Sequence, residues 1–317
     1  ASSWEEIVNT GQEGEPAVNG LNESSSLTGD AARRALAAAA KAAGVDASSA
    51  DLLGPVGDNA VFGLPGGVVA RVSSPAALPR VARELCVARW LESLAFPAVR
   101  VWPSAPDVIE TAGGVVAFWV EIPGIRPSAP GDLGGLLRRL HTITSAPAGV
   151  LAPFEPFARI SDHIRHATGL SAAERDTLHA LLDDLTLAYD SVQFERDPCV
   201  IHGDAHRKNI VADASGAVVM LDLEHLSRAA PEWDLTVAAV YRRVGWYSEP
   251  EYQEFVDAYG WDVTTWQGFP VMAAIRQLRM TAWLAARTDR EPRLIPQVRA
   301  RLASLVDGTA HAWEPGR

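Results

Sequence analysis

The stretch Cys199-Val-Ile-His-Gly-Asp-Ala-His-Arg-Lys-Asn-Ile-Val-Ala-Asp-Ala-Ser-Gly-Ala-Val-Val-Met-Leu-Asp-Leu-Glu224 decides how the rest of the chain is read. Two apolar runs, 199–201 and 217–221, each end at polar residues, and Asp213-Ala-Ser-Gly216 between them carries Asp/Gly turn chemistry. The reading is strand, loop, hairpin. A hairpin folded about 213–216 brings Asn209 within about two residues of Asp222 at the open end of its ladder. Asp204 sits in the loop just before it. Two carboxylates and an amide thus gather at one place, a hard oxygen donor set of the kind Mg²⁺ prefers. The natural division is one carboxylate for a substrate proton and the remaining pair for metal.

His202-Gly-Asp204-Ala-His206-Arg-Lys208-Asn209 followed by Leu221-Asp222-Leu-Glu224 resembles the catalytic and metal-binding loops of the aminoglycoside phosphotransferase and choline kinase group, distant relatives of protein kinases. The resemblance implies that Asp204 orients or deprotonates an acceptor hydroxyl, while Asn209 and Asp222 hold Mg²⁺ on the phosphates of ATP or GTP. His206 stands where it can donate to the transferring phosphoryl group, or it is structural. Lys208 is one of only two lysines, with Lys41, among 28 basic residues, and reads either as a γ-phosphate contact or as a solvated loop lysine. A different chemistry is also open: His202, Asp204 and His206 alternate, as in a metal-dependent hydrolase. The Asn209–Asp222 pairing argues against it, because a hydrolase has no need of the amide.

Upstream, residues 51–72 read as the start of a small antiparallel sheet, with Gly54-Pro-Val-Gly57 a loop able to lay backbone amides against phosphates. Ser73 or Ser74 and Pro75 then open a helix with Leu78, Val81, Leu85 and Ala88 on its apolar stripe and Glu84 at the stripe's edge. The resemblance implies an Arg71–Glu84 ion pair on the α- and β-phosphates, with arginine where the family usually has lysine. Strands are expected at Val99–Trp102 and Val115–Val120. Trp119-Val-Glu-Ile-Pro-Gly124 resembles the family's hinge, which makes the main chain of Val120 and Ile122 the candidates for holding the base.

Beyond the hinge, Asp132 is expected to cap a helix striped by Leu133, Leu136, Leu137 and Leu140. Ser171-x-x-Glu174 is a capping box opening a long helix. Pro231-Glu-Trp-Asp234 opens another, and the resemblance gives Asp234 the role of bracing the catalytic loop from behind. Segments 250–260, 270–287 and 292–306 read as acceptor-binding helices, and six of the ten tryptophans lie from Trp233 onward. Glu224, Glu232, Asp257 and Asp262 are the carboxylates available to a cationic acceptor.

Composition bounds the rest. The net charge is −11, of which residues 1–30 carry −6 through Glu5, Glu6, Glu13, Glu15, Glu23 and Asp30. Residues 1–28 are therefore read as an acidic, flexible segment. No basic stripe offers itself to nucleic acid, no apolar run approaches a membrane span, and two cysteines make no disulfide framework, so a cytoplasmic protein is expected. The resulting expectation is an α+β, two-lobed protein-kinase-like fold: a nucleotide-binding lobe with an antiparallel sheet over 29–122 and a mainly helical catalytic and acceptor-binding lobe over 123–317. The activity implied is transfer of a γ-phosphate to a hydroxylated small molecule, an antibiotic first. A metabolite such as choline, a sugar or an amino alcohol, and a nucleotide-binding pseudokinase, stand as alternatives.

Overall fold

A computed structural model of the protein describes residues 27–105, 107–309 and 312–314, so the acidic segment lies outside the described residues apart from Leu27 and Thr28. The chain forms α1 (Gly29–Ala43), β1 (Asp51–Leu52), β2 (Asn59–Leu64), β3 (Val68–Ser73), α2 (Leu78–Ser93), β4 (Ile109–Thr111), β5 (Gly114–Val120) and β6 (Arg126–Pro127). Then come α3 (Pro130–Leu140), α4 (Ile160–His166), α5 (Ala172–Asp190), β7 (Cys199–Ile201), β8 (Ile210–Ala212), β9 (Val218–Met220) and β10 (Ser227–Ala229). Four helices close the order: α6 (Glu232–Arg243), α7 (Glu249–Tyr259), α8 (Phe269–Ala285) and α9 (Ile295–Asp307).

Two compact units result. The first holds the chain through Ser128 together with 146–152 and 207–226. Its antiparallel sheet has the order β1-β2-β3-β5-β4. Strand β2 alternates, burying Ala60, Phe62 and Leu64, whereas β3 and β5 are buried almost throughout because they lie in the middle of the sheet. Helix α1 lays Ala32, Ala35, Leu36 and Ala39 against Phe62, Ala70, Val72 and Phe118, and its small residues let backbone approach sheet closely. Each large apolar side chain so buried contributes roughly 1.5–3 kcal/mol. The ends of α1 are set by local cap chemistry. Thr28 Oγ1 accepts from Ala31 N at 3.2 Å, and Gly44 takes the left-handed conformation at φ 65° that a C-terminal cap requires.

The expected strand Val99–Trp102 does not form. The segment makes the bridges Ala98–Met220 and Val101–Trp119, with Trp102 N donating to Phe118 O at 2.9 Å and Val120 N to Arg100 O at 2.8 Å, so it meets the end of β5 at one residue pair while β4 pairs with the beginning of β5.

The hairpin β8–β9 pairs Ile210 with Met220, Val211 with Val219 and Ala212 with Val218. It belongs to the first unit, a partition that sequence order does not reveal. Strand β6 joins it through Arg126–Ala212, and Ser128 Oγ donates to Ile210 O at 3.1 Å.

The second unit comprises 129–145, 153–206 and 227–317. Strand β7, the apolar run 199–201, pairs with β10 and not with the hairpin. Helix α8 is the unit's axis, packed by α4, α5, α6 and α9 and buried around most of its circumference. Helices α3 and α7 approach so closely that a Cβ on Gly134 would lie 2.4 Å from Phe255 O. Asp132 does not sit at the N-cap of α3. It lies inside the first turn, its carboxylate accepting from Ala129 N at 2.9 Å, because Pro130 already starts the helix.

Candidate active site

In the first unit, Arg71 stands on the central strand β3 opposite Val61 and Ala117. Its guanidinium grips Glu84 with two nitrogens, Nη1 donating to Oε1 at 3.0 Å and Nη2 to Oε2, and lies over the Trp119 ring at 5.5 Å. Glu84 is 1% exposed, so the helical stripe turns it inward as its position at the stripe's edge predicts. Burial works against the charge on Arg71, but Glu84, then Glu224 and Asp222, outweigh it and raise the guanidinium above its ordinary value. Arg71 Nε is buried without a hydrogen-bond acceptor.

One turn before Glu84 on α2, Arg80 forms a second ion pair with Glu224. Glu224 is 5% exposed, with its other oxygen 3.3 Å from His225 Nε2. It ties the turn after the hairpin to α2. Helical spacing puts Arg80 on the face that carries Glu84, but nothing in the spacing names Glu224 as its partner.

The hairpin delivers what its register promised. Leu221 N donates to Asn209 O at 2.7 Å, extending the ladder by one step, so Asn209 lies opposite the residue that precedes Asp222. Asp222 itself is left-handed at φ 53°, ψ 63°, a conformation rare for residues other than glycine and one that marks functional positions. Lys208 lies half-buried in the short turn Arg207–Asn209.

On the nucleotide side, the Gly57 amide donates to Asn59 O at 3.1 Å within its own loop, and the Val120 amide donates to Arg100 O at 2.8 Å.

In the second unit, Asp234 is fully buried, and its oxygens accept from His202 N at 2.7 Å and Gly203 N at 2.9 Å. Gly203 has φ 87°, so the loop turns where only glycine is unstrained. Trp233 Nε1 donates to Gly203 O at 2.9 Å, completing the brace. His141 Nε2 lies 3.0 Å from Asp234, and its Nδ1 lies 2.9 Å from Tyr259 Oη. Burial pushes the Tyr259 phenol well above its ordinary value, so it keeps its proton and donates to Nδ1; His141 then donates from Nε2 to the carboxylate.

This loop presents Asp204, 3% exposed. Its Oδ1 is 3.0 Å from Arg276 Nη1, and its Oδ2 is 3.3 Å from His206 Nε2. His206 stacks on Tyr241 with ring centroids 6.5 Å apart. The sequence offers Arg276 and Arg279 as the two charged residues of an otherwise uncharged α8, a pattern that marks a helix interior holding a polar site but does not say which of the two faces it. Glu232 is fully buried and accepts from Glu195 N at 2.8 Å and Arg196 N at 3.0 Å. Through Oε1 it latches the approach to β7, while its Oε2 is buried without a hydrogen-bond partner.

The hydrolase alternative fails on geometry. Among the described residues no three His, Cys, Asp or Glu side chains are placed to hold a metal ion, and His202 Nδ1 is instead 3.3 Å from Asp204 N.

A kinase-like fold, an antiparallel sheet lobe and a helical lobe, thus carries the expected loops. The model of the phosphotransferase enzyme family, APH, matches residues 58–275, more than half of the chain, and the chain belongs to that family. It is a small-molecule phosphotransferase. Among solved structures it is similar to the amicoumacin kinase hAmiN in complex with AMP-PNP, Ca²⁺ and Ami, at 13% identity and TM-score 0.66 over 83% of this chain and 89% of that one. A microcompartment-associated aminopropanol kinase matches at 17% identity and TM-score 0.62, over 81% and 91%. The aminoglycoside phosphotransferase APH(3'')-Id from Streptomyces rimosus matches at 23% and 0.54, over 76% and 96%. These likenesses establish the fold. No curated protein matches the chain by sequence. No helix among the described residues is long and apolar enough to cross a membrane.

Proposed function

We propose that the protein transfers the γ-phosphate of ATP or GTP to a hydroxyl of a small antibiotic. The observation that carries this reading is the Asp234-braced loop, which holds Asp204 five residues ahead of Asn209, with Asn209 and Asp222 at the end of one hairpin. Asp204 orients the acceptor hydroxyl and accepts its proton as the bond to phosphorus forms. His206 and Lys208, on the same loop, are assigned to the transferring group.

The donor set fits a nucleotide with its metal. Arg71 Nε is a buried donor still without an acceptor, on a guanidinium whose other two nitrogens are held in place by Glu84. Asn209 and Asp222 supply one amide and one carboxylate oxygen, the sparse protein contribution that Mg²⁺ takes when phosphates and water complete its shell. Bound there, Mg²⁺ neutralises charge on the phosphates. The main chain of Val120 and Ile122 is the hinge candidate for holding the base. Residues 29–122 with the hairpin serve the nucleotide, and the helical remainder serves the acceptor.

Of the carboxylates available to a cationic acceptor, Glu224 and Glu232 hold the partners described, Asp262 accepts from Tyr252 Oη at 2.6 Å and Thr264 N at 2.9 Å, and Asp257 accepts from Gln253 at 2.8 Å. An aminoglycoside-type compound and another hydroxylated antibiotic both stand as acceptors. The fold likeness to an aminopropanol kinase favours, as a second reading, a small amino alcohol or another metabolite. The test is incubation with Mg²⁺ and ATP or GTP across a panel of antibiotics, choline, amino alcohols and sugars, reading product mass. Gain of one phosphate on one panel member is expected. Bound nucleotide without transfer to any member would favour a pseudokinase.

A further inference from the structure

We propose that Glu232 is a positioning residue for the phosphotransfer step: it fixes the entrance of β7 while Asp234 fixes the exit, so that the turn carrying Asp204 starts from one place. The inference rests on the role proposed for Asp204.

Glu232 and Asp234 lie two residues apart in the first turn of α6, both fully buried. Side chains two apart on a helix project about 200° from each other, so the two carboxylates reach opposite ends of one short strand. Asp234 takes His202 N and Gly203 N, just past β7. Glu232 takes Glu195 N at 2.8 Å and Arg196 N at 3.0 Å, just before it, both on Oε1. Trp233, between the two, donates to Gly203 O at 2.9 Å. Three consecutive side chains of one helical turn therefore hold the segment 195–203.

Strand pairing alone does not fix the entrance. β7 makes three residue pairs with β10, ending at Cys199 with Ala229. Val200 N turns the other way, donating to Ile143 O at 2.8 Å, so the next pair to exchange bonds with β10 would set Asp197 against Pro231, which has no N–H. Among the described residues, the backbone of 194–198 makes its hydrogen bonds to Glu232 alone. The carboxylate thus stands where the ladder stops. A carboxylate so deeply buried is costly unless its bonds offset the cost, and both of its bonds go to this one point. Without them β7 keeps its three pairs and its exit latch, but its entrance is released, and Asp204, three residues past the strand, inherits any slide or rotation that follows. A shift of about 1 Å at the proton-accepting carboxylate is enough to cost about 100-fold in rate.

The experiment compares wild type, Glu232→Gln and Glu232→Met on the acceptor found by the panel, with nucleotide affinity measured by calorimetry and the exchange of individual amides by NMR. Glutamine keeps an acceptor oxygen, whereas methionine fills the same space without one. For Glu232→Met the expected result is a kcat lower by about 30–100-fold, nucleotide affinity within about threefold of wild type, and exchange at least about tenfold faster at His202 and Gly203 as well as at Glu195 and Arg196. Glu232→Gln is expected to keep kcat within about fivefold and exchange near that of wild type. Ser171→Ala controls for plain destabilisation: loss of the α5 cap lowers the urea midpoint and is expected to leave kcat unchanged. Wild-type kcat in Glu232→Met overturns the proposal, as does wild-type exchange at His202 and Gly203 while Glu195 and Arg196 are released. Equal loss of kcat in Glu232→Gln and Glu232→Met, or an equal loss in Ser171→Ala, also overturns it. Should Glu232→Met not fold, Glu232→Asp decides: it keeps the charge but withdraws it by one methylene, a kcat lower by about tenfold is expected, and wild-type kcat overturns the proposal. Wild type inactive on every acceptor would instead refute the functional reading, and amide exchange would still decide whether Glu232 governs the loop.

Discussion

Replacing Asp234 by alanine removes the acceptor of three buried donors at once. His202 N and Gly203 N give it bonds of 2.7 and 2.9 Å, and His141 Nε2 one of 3.0 Å, all on a side chain with no exposure to solvent. Hydrogen bonds to a charged group contribute about 1.5–3 kcal/mol each, and stranded buried N–H groups add a desolvation penalty of similar size. Because the three share one carboxylate they are not additive, and a total of about 3–6 kcal/mol is expected, a large share of the roughly 5–15 kcal/mol that holds a domain together. Asparagine keeps one acceptor oxygen but turns an NH₂ toward a backbone N–H, so Asp234→Asn is expected to lose about half as much. Urea unfolding followed by tryptophan fluorescence measures both variants, and amide exchange at His202 and Gly203 reports the brace itself. The catalytic consequence is loss of turnover in Asp234→Ala larger than the loss of nucleotide affinity. Stability of Asp234→Ala within about 1 kcal/mol of wild type, with His202 and Gly203 still protected, would refute the reasoning.

Glu84→Gln keeps the size of the Arg71 partner but removes its charge, and is expected to raise the KM for nucleotide by about tenfold with a smaller effect on the KM for acceptor, read by steady-state kinetics. Gly134→Ala places a methyl group where Phe255 O lies 2.4 Å from the ideal Cβ position, rigid backbone that cannot yield cheaply, and is expected to cost about 1–3 kcal/mol in urea unfolding with kinetics unchanged. Glu174, bonded by Arg299 and by the amide and hydroxyl of Ser171, has its carboxyl lowered from 4.5 to about 2. The sign follows: its stabilisation is fully present above pH 4.5 and is lost as pH falls toward 2, so Glu174→Gln should flatten that limb of the Tm–pH curve and leave neutral pH little changed.

Local chemistry made much of the fold legible in the sequence. Thr28 and Gly44 bound α1, and Ser171 with Glu174 opens α5, because caps act within one turn of the chain. The Asn209–Asp222 juxtaposition followed from hairpin register, and the Arg71–Glu84 pair and the Asp234 brace followed from the family resemblance. What sequence did not disclose were partners chosen in three dimensions. Arg276 meets Asp204 across the second unit, and nothing in the spacing of α8 names that partner. Glu224 and Glu232 looked available because carboxylates are usually solvated, but tertiary packing buries one against Arg80 and the other against two backbone amides. Val99–Trp102 reads as a strand by composition, but it is divided between two partners, Met220 and the end of β5, and so forms single bridges instead of a ladder.

The most direct measurement is transfer by Asp204→Asn beside wild type, under Mg²⁺ and saturating nucleotide, with product mass as the readout and calorimetry for nucleotide affinity. The account predicts one phosphate added to the acceptor by wild type, and, for the variant, nucleotide affinity within about threefold of wild type with turnover lowered by at least about 100-fold. Wild-type turnover in Asp204→Asn would contradict the assignment of the acceptor hydroxyl to that carboxylate.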